Sequence, residues 1–328
     1  MTFRETSRPD GPPTGPAIGP ATGPATGPAP GPDLSVVVPH YDDLARLRVC
    51  LGALAPQVDA GVEVVVADNG TPGGLGDVAE ALPGVRVIAV DERGAAPART
   101  AGAAASGAPV IAFLDADCRP APDWIAAIRA AVAAHGMDTG SGTVLGGRIG
   151  VFDEGPGPRS GAQAFETVFA FDQAGYVSRK GFAVTANLVV PRAVWDATGP
   201  FRPGVSEDVD WCRRAVAGGA RLLYAPEILV EHPTRGDWAA LAKKWRRLTS
   251  EEFELSGRRR PLAWRAKALA MPVSAVAHAP KVLRAPGLSP AEKGRGLVTL
   301  GRLRLARMAW MLAGAGAGRA APGGEKTG

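Results

Sequence analysis

Four short apolar runs recur between residues 34 and 117, and each one ends in polar residues. "LSVVVP" leads into "HYDD", "VEVVVAD" into "NG", "VRVIAV" into "DERG", and "VIAFL" into "DADC". Continuous runs of this kind suit strands buried on both faces, as in a parallel sheet, because half-exposed strands alternate instead. Helical patterns lie between them. Leu44, Leu47, Leu51 and Leu54 recur at spacings of three and four, "APARTAGAAASG" is rich in Ala, and Trp124, Ile125, Ile128 and Val132 share a face after Asp117. This strand–helix alternation predicts βαβ units and an α/β, doubly wound, mainly parallel sheet. Ligands of such sheets sit at the carboxyl ends of the strands, which is where this chain places its polar clusters.

The rest of the chain reads differently. Within residues 1–32, the stretch 10–32 repeats Gly, Pro, Ala and Thr with a glycine period of four. They offer little to bury, so a disordered tail is expected, and the period is not that of collagen. Strands are expected at 146–152 and 181–191, and short strands within 221–233. "VSEDVDWCRRAVAGG" reads as a helix capped by Ser206, with Glu207, Asp208 and Asp210 in its first turn and Gly218–Gly219 as its stop. From Asp237 onward the pattern is helical and basic, broken by Pro261, Pro272, Pro280 and Pro286. The last helix, about 290–313, is not cleanly amphipathic, since Arg302 and Arg304 fall on opposite sides. The organisation predicted is a tail at 1–32, an α/β domain at 33–235, a basic helical region at 236–320 and a tail at 321–328.

Charge follows that division. From Arg235 to the end there are 19 Lys and Arg against 6 Asp and Glu, a balance of +13 within a net charge of +5, so the remainder carries −8. A basic region on an acidic body points to anionic lipid headgroups or polyphosphate. Together with Trp310 and the Leu and Met residues of the last helix, it predicts peripheral contact with an anionic membrane surface. No uncharged apolar stretch approaches the roughly 18 residues of a spanning helix. Three cysteines without a CxxC argue against a zinc or disulfide framework and suit a reducing compartment. The N-terminus has no apolar core of a secretory signal. A cytoplasmic protein, reaching the inner face of the plasma membrane, is expected, with no nucleic-acid partner.

Asp115 and Asp117 are the chemically pointed residues. A D-x-D at a strand end has three readings: a turn with solvated acids, a phosphatase nucleophile, or a divalent-cation site. The residues Arg119 and Pro120 disfavour the second. Hard oxygen ligands beside a diphosphate suit Mg2+ or Mn2+. A nucleotidyltransferase would call for a Gly-rich phosphate loop after the first strand, and "PHYDD" has no glycine.

The ordered set "VVVPHYDD", "VVVADNG", "APARTAG", "FLDADC", "SEDVDW" and "VEH" resembles the inverting family-2 glycosyltransferases of GT-A fold, over roughly residues 34–233. The resemblance implies metal-dependent transfer of a sugar from a nucleotide diphosphate sugar to an acceptor hydroxyl, saccharide, lipid-linked or other, with inversion. It places Pro39 and Tyr41 in the nucleotide pocket, Asp68 against the base, Arg99 toward the phosphates and Asp115 near ribose and metal. Asp117 becomes a direct metal ligand, His232 a further metal or diphosphate contact, and Asp208 the general base. Glu207, Trp211 and Asn187 are candidates for the acceptor side, although Trp211 also suits a core and Asn187 a backbone-satisfying role. Asp208 near a helix start is expected to be held ionised by the dipole. The chain departs from the family pattern at Asp42 and Thr100, after Asp68, and at "KKWRRL" (243–248), where the Gln-x-x-Arg-Trp of processive polymerases is absent. A non-processive enzyme is expected, in cell-surface polysaccharide or glycolipid assembly. The rival readings are an inactive sugar-nucleotide-binding protein, and a phosphatase or nucleotidyltransferase built on the D-x-D.

Overall fold

The computed structural model describes residues 31–76, 78–138, 140–203, 206–254 and 260–313. The tail expected at 1–32 lies outside the described residues as far as Pro30, and that expected at 321–328 lies outside them altogether. From Pro32 onward the described residues belong to one compact unit.

The first half alternates as expected: β1 (Leu34–His40), α1 (Leu44–Leu54), β2 (Val62–Asp68), α2 (Val78–Ala81), β3 (Arg86–Ala89), α3 (Ala95–Ala105), β4 (Val110–Leu114), β5 (Arg119–Pro120) and α4 (Trp124–His135). The second half holds β6 (Thr143–Phe152), α5 (Gly161–Phe169), α6 (Gln173–Gly175), β7 (Asn187–Pro191), α7 (Arg192–Thr198), α8 (Glu207–Ala217) and β8 (Arg221–Pro233). Four helices follow: α9 (Trp238–Glu252), α10 (Pro261–Leu269), α11 (Met271–Arg284) and α12 (Pro290–Leu312).

One eight-stranded sheet runs in the order β3-β2-β1-β4-β7-β6-β8-β5. The first four strands are parallel neighbours. β7 is antiparallel to both β4 and β6, β6 and β8 are parallel, and β5 is antiparallel to β8. The result is a mixed α/β sheet with a helical C-terminal region, in line with the GT-A architecture that the resemblance implies.

β1 and β4 carry almost uninterrupted burial because helices cover both sheet faces. On one face α1 and α4 pack Leu47, Leu51, Leu54, Trp124 and Ile128 against Val36, Val38, Val64 and Leu114. On the other, Phe113 packs with Trp195, Phe201 and Trp211. α3 lies close on that face because Gly102 has no side chain: a Cβ there would fall 2.4 Å from Val37 Cγ1.

Several expectations shift. β3 is an exposed edge strand, not one buried on both faces. The strand expected at 181–191 begins only at Asn187. The short strands expected within 221–233 are one long strand, which keeps pairing with β6 through a register shift between Gly147 and Arg148. Ser206 holds the N-cap position of α8 as expected, but its side chain makes no capping bond: its hydroxyl donates to Glu251 Oε2 at 3.2 Å. α12 lacks a clean amphipathic stripe because it has neighbours on several sides. It packs against α5, α9, α10 and α11, so Arg304 and Arg307 are buried while Arg302 lies over the Trp238 ring at 4.0 Å.

Candidate active site

The strand ends bring the polar clusters together at one edge of the sheet, where three cavities adjoin. The first, about 640 Å3, is lined by Pro39, Tyr41, Asn69, Arg93, Arg99, Asp115 and Asp117. The second, about 470 Å3, includes Asp117, His232, Arg235, Lys243, Lys244 and Arg247. The third, about 320 Å3, includes Arg99, Asp115, Tyr176, Phe182, Glu207, Asp208 and His232. Asp117 therefore faces the first two, His232 the last two, and Arg99 with Asp115 the first and third.

The first cavity is shaped by β1, β2 and the start of α3. Asp68, at the end of β2, accepts from the Thr71 hydroxyl at 2.5 Å and lies 3.3 Å from His40 Nδ1. Asp43 N donates to His40 Nε2 at 3.1 Å, which puts the ring proton on Nδ1, toward Asp68. Asp68 is thus mostly buried beneath the cavity mouth, in a network of its own, and its carboxylate is largely occupied. Asn69 donates to the carbonyls of Val90 and Glu92 and accepts from Gly94 N, tying the loop after β3 to the end of β2. That loop presents Arg93, whose guanidinium lies 5.1 Å from the centroid of the exposed Tyr41 ring. Arg93 and Asn69 were not singled out by sequence; "ADNG" and "DERG" at strand ends were the available signal.

Arg99 links two of the carboxylate motifs. Its guanidinium donates to Asp115 Oδ1 at 2.5 Å and to Glu207. A buried cation between two carboxylates couples the end of β4 to the start of α8. Glu207 is therefore held by Arg99 at the rim of the third cavity.

Asp117 and His232 face each other across 3.3 Å, Oδ2 to Nε2. His232 Nδ1 donates to the carbonyl of Pro233 at 2.7 Å, and that bond aims Nε2 at Asp117. Burial pushes the Asp117 carboxyl above its ordinary range, with Asp115 adding to the rise and His232 opposing it. Among the described residues no cluster of three or more His, Cys, Asp or Glu could hold a metal ion unaided. Two protein groups, a carboxylate and an imidazole, suit a hard or borderline divalent cation that takes its other ligands from phosphate and water.

Asp208 opens into the third cavity and accepts from Val209 N at 2.8 Å. Burial pushes its pKa from 3.8 to about 6; Glu207 adds to the rise and Arg99 opposes it. This reverses the reason expected from sequence. The helix start does not hold Asp208 strongly ionised; desolvation dominates and makes it a better base near neutral pH.

Two acceptor-side candidates are corrected. Asn187 is completely buried: its amide donates to the carbonyls of Arg148 and Ile228 and accepts from Trp124 Nε1 at 3.1 Å. It pins β6, β7, β8 and α4 together, and Gly147 makes room for it, since a Cβ there would lie 2.3 Å from Asn187 Nδ2. Trp211 is also fully buried, stacked on Trp195 at 5.8 Å with its Nε1 donating to the carbonyl of Gly199. The third cavity is instead walled by Phe171 and by Tyr176 stacked on Phe182, centroids 5.0 Å apart.

Beneath the second and third cavities, buried Glu166 on α5 accepts from Arg235 Nη1 and Lys244 Nζ, each at 2.9 Å. This cluster clips the end of β8 and α9 to α5. The cysteines Cys50, Cys118 and Cys212 are buried and unpaired, and burial pushes each thiol up, so none is poised as a nucleophile.

Residues 35–195 match the family model described as Glycosyl transferase family 2. The chain is similar to the glycosyltransferase AglE of Haloferax volcanii, 29% identical over 224 residues that span 65% of this chain and 71% of that protein. It is also similar to the pre-mycofactocin glycosyltransferase of Mycobacterium tuberculosis, 29% identical over 220 residues; the match spans 63% of this chain but only 45% of that relative. Among solved structures it is similar to the mannosyltransferase PcManGT from Pyrobaculum calidifontis in complex with GDP-Man and Mn2+, with a TM-score of 0.49 and 17% identity, over 90% of this chain and 78% of that one.

Proposed function

Because this chain belongs to glycosyl transferase family 2, we propose that it moves one sugar at a time from a nucleoside diphosphate sugar to an acceptor hydroxyl, in a single displacement with inversion. The observation that carries this reading is that Asp208, with its pKa near 6, shares the third cavity with Asp115, Arg99 and His232. A base and the groups suited to a diphosphate thus face one space.

Tyr41, with Arg93 beside it, flanks the nucleobase in the first cavity. Arg99 holds Asp115 and Glu207 in fixed relation, so donor and base keep their spacing. Asp117 and His232 would hold a divalent cation, Mg2+ or Mn2+, and that ion would supply positive charge against the leaving diphosphate. Asp208 accepts the proton of the acceptor hydroxyl as that oxygen attacks. The faces of Tyr176 and Phe182 offer an aromatic wall to the acceptor, the kind of surface against which sugar rings pack.

Calorimetry with uridine or guanosine diphosphate, with and without Mn2+, tests the donor half. We expect Asp117→Ala to abolish the Mn2+-dependent part of binding while leaving the fold intact. Unchanged metal dependence in that variant would sink the assignment of the cation to Asp117.

A further inference from the structure

The helices α10 and α11 are apolar on two faces. Their inner face, Trp264, Ala268, Met271 and Val282, is buried in the C-terminal bundle, with Trp264 Nε1 donating to the carbonyl of Met311 at 3.2 Å. The outer face carries a second stripe. Leu262, Leu269, Val273, Val276 and Leu283 are 54 to 80% exposed, and Ala266 and Pro280, also exposed, fill the gaps. The spacing alternates strictly between four and three from Leu262 to Leu283. Ala270, between the helices, keeps helical angles (φ −78°, ψ −11°), so the stripe passes through the junction. At about 100° per residue it covers an arc of roughly 100°. A helix apolar on both sides, with one side bare, is built to meet something other than water.

Charge chooses the occupant. Between Glu254 and Glu292 the sequence has no acid and seven Lys or Arg. Arg265 and Arg284 border the stripe and Lys281 lies beside it, all exposed. Two copies meeting along this seam would bring like charges together, whereas helical seams between chains are normally flanked by opposite charges. Apolar side chains lying flat between cations, without any acid, match an interfacial helix on an anionic bilayer. On the last helix, which sequence suggested for this role, Met311 is buried and Trp310 packs into the bundle, so its exposed large apolar residues are reduced to Val298, Leu305 and Leu312, one per seven residues and a sparser stripe than that of α10 and α11.

We propose that the outer face of α10 and α11 docks on an anionic lipid membrane. No helix of the described residues is long and apolar enough to cross a membrane, so the contact lies at the interface. The proposal does not depend on the transfer reaction and stands or falls without it.

The test is sedimentation of the full-length protein with vesicles of phosphatidylcholine alone and of phosphatidylcholine with about a third phosphatidylglycerol, at low salt and at about 0.5 M. Binding to the anionic vesicles only, weakened by salt, is expected. The combined variant Leu269→Glu, Val273→Glu and Val276→Glu should lose binding by at least tenfold, on the order of what a buried apolar side chain contributes. Lys281→Ser with Arg284→Ser, which leaves the stripe intact, should lower binding to anionic vesicles by roughly thirtyfold. Equal binding to both vesicle types, or full binding by either variant, overturns the proposal. So does a wild-type protein that ignores vesicles but is a dimer by light scattering, split by the Glu variant; the occupant is then a second copy.

Discussion

Replacing Asp208 by Asn should make the protein more stable and nearly inactive at once. Asn keeps the shape and can still accept from Val209 N, but it carries no charge and takes up no proton. In the wild type, burial raises the Asp208 pKa from 3.8 to about 6. The folded protein therefore holds a proton that the unfolded chain releases between those values. Stability falls as pH rises through that window, and the full loss is present above it. Two pKa units correspond to about 3 kcal/mol. The side chain is partly open to the third cavity, so screening reduces this to about 1–2 kcal/mol. For a domain of this size that is a rise in Tm of a few degrees at about pH 8. Below about pH 3, under both pKa values, both proteins carry a neutral side chain at this position and the difference between them should vanish. Acceptor-dependent turnover should fall by about 10²–10⁴, the range for a lost general base, with donor affinity nearly unchanged. Thermal melts across pH, beside turnover with a nucleotide-sugar donor, make the measurement. A variant that melts below wild type at pH 8, or that keeps its turnover, would refute the account of Asp208 as a base tuned by burial.

Asn187→Ala strands Trp124 Nε1 and two buried carbonyls, so it should cost about 3 kcal/mol and lower Tm by several degrees without a selective change in KM. Glu166→Gln leaves Arg235 and Lys244 without their carboxylate; a loss of about 3–5 kcal/mol in urea unfolding is expected. Burial works to raise the Glu166 carboxyl, but Lys244 and Arg235 outweigh it and hold it below its usual value, so wild-type stability from this site is lost as pH falls, and the Gln variant should lack that acid-dependent loss. Asp210→Asn weakens partly exposed pairs with Arg214 at 2.8 Å and Arg202 at 3.8 Å; a change within about 1 kcal/mol and unaltered turnover are expected, and a large loss of activity would move the base away from Asp208.

The α/β alternation and the polar strand ends are local properties, so they could be read along the chain, whereas the cap expected of Ser206 was decided by Glu251 of α9, which takes its hydroxyl. Strand burial shows in unbroken runs such as "VIAFL", and the D-x-D falls where such a run stops. β3 misled because an apolar run does not say whether a strand lies inside the sheet or at its edge. The roles of single residues depend on what packs around them. Asn187 and Trp211 look equally suited to a groove or a core until β6, β8 and α4 close over one and Trp195 over the other. Asp208 near a helix start reads as an ordinary ionised acid, and only desolvation in the folded cavity raises its pKa toward neutrality. The heptad-like spacing in α10 and α11 was present in the sequence from Leu262 to Leu283. Whether it faced the core or water was decided by α12, which packs on their other side: spacing defines a stripe, but only tertiary contact determines which stripe is left bare.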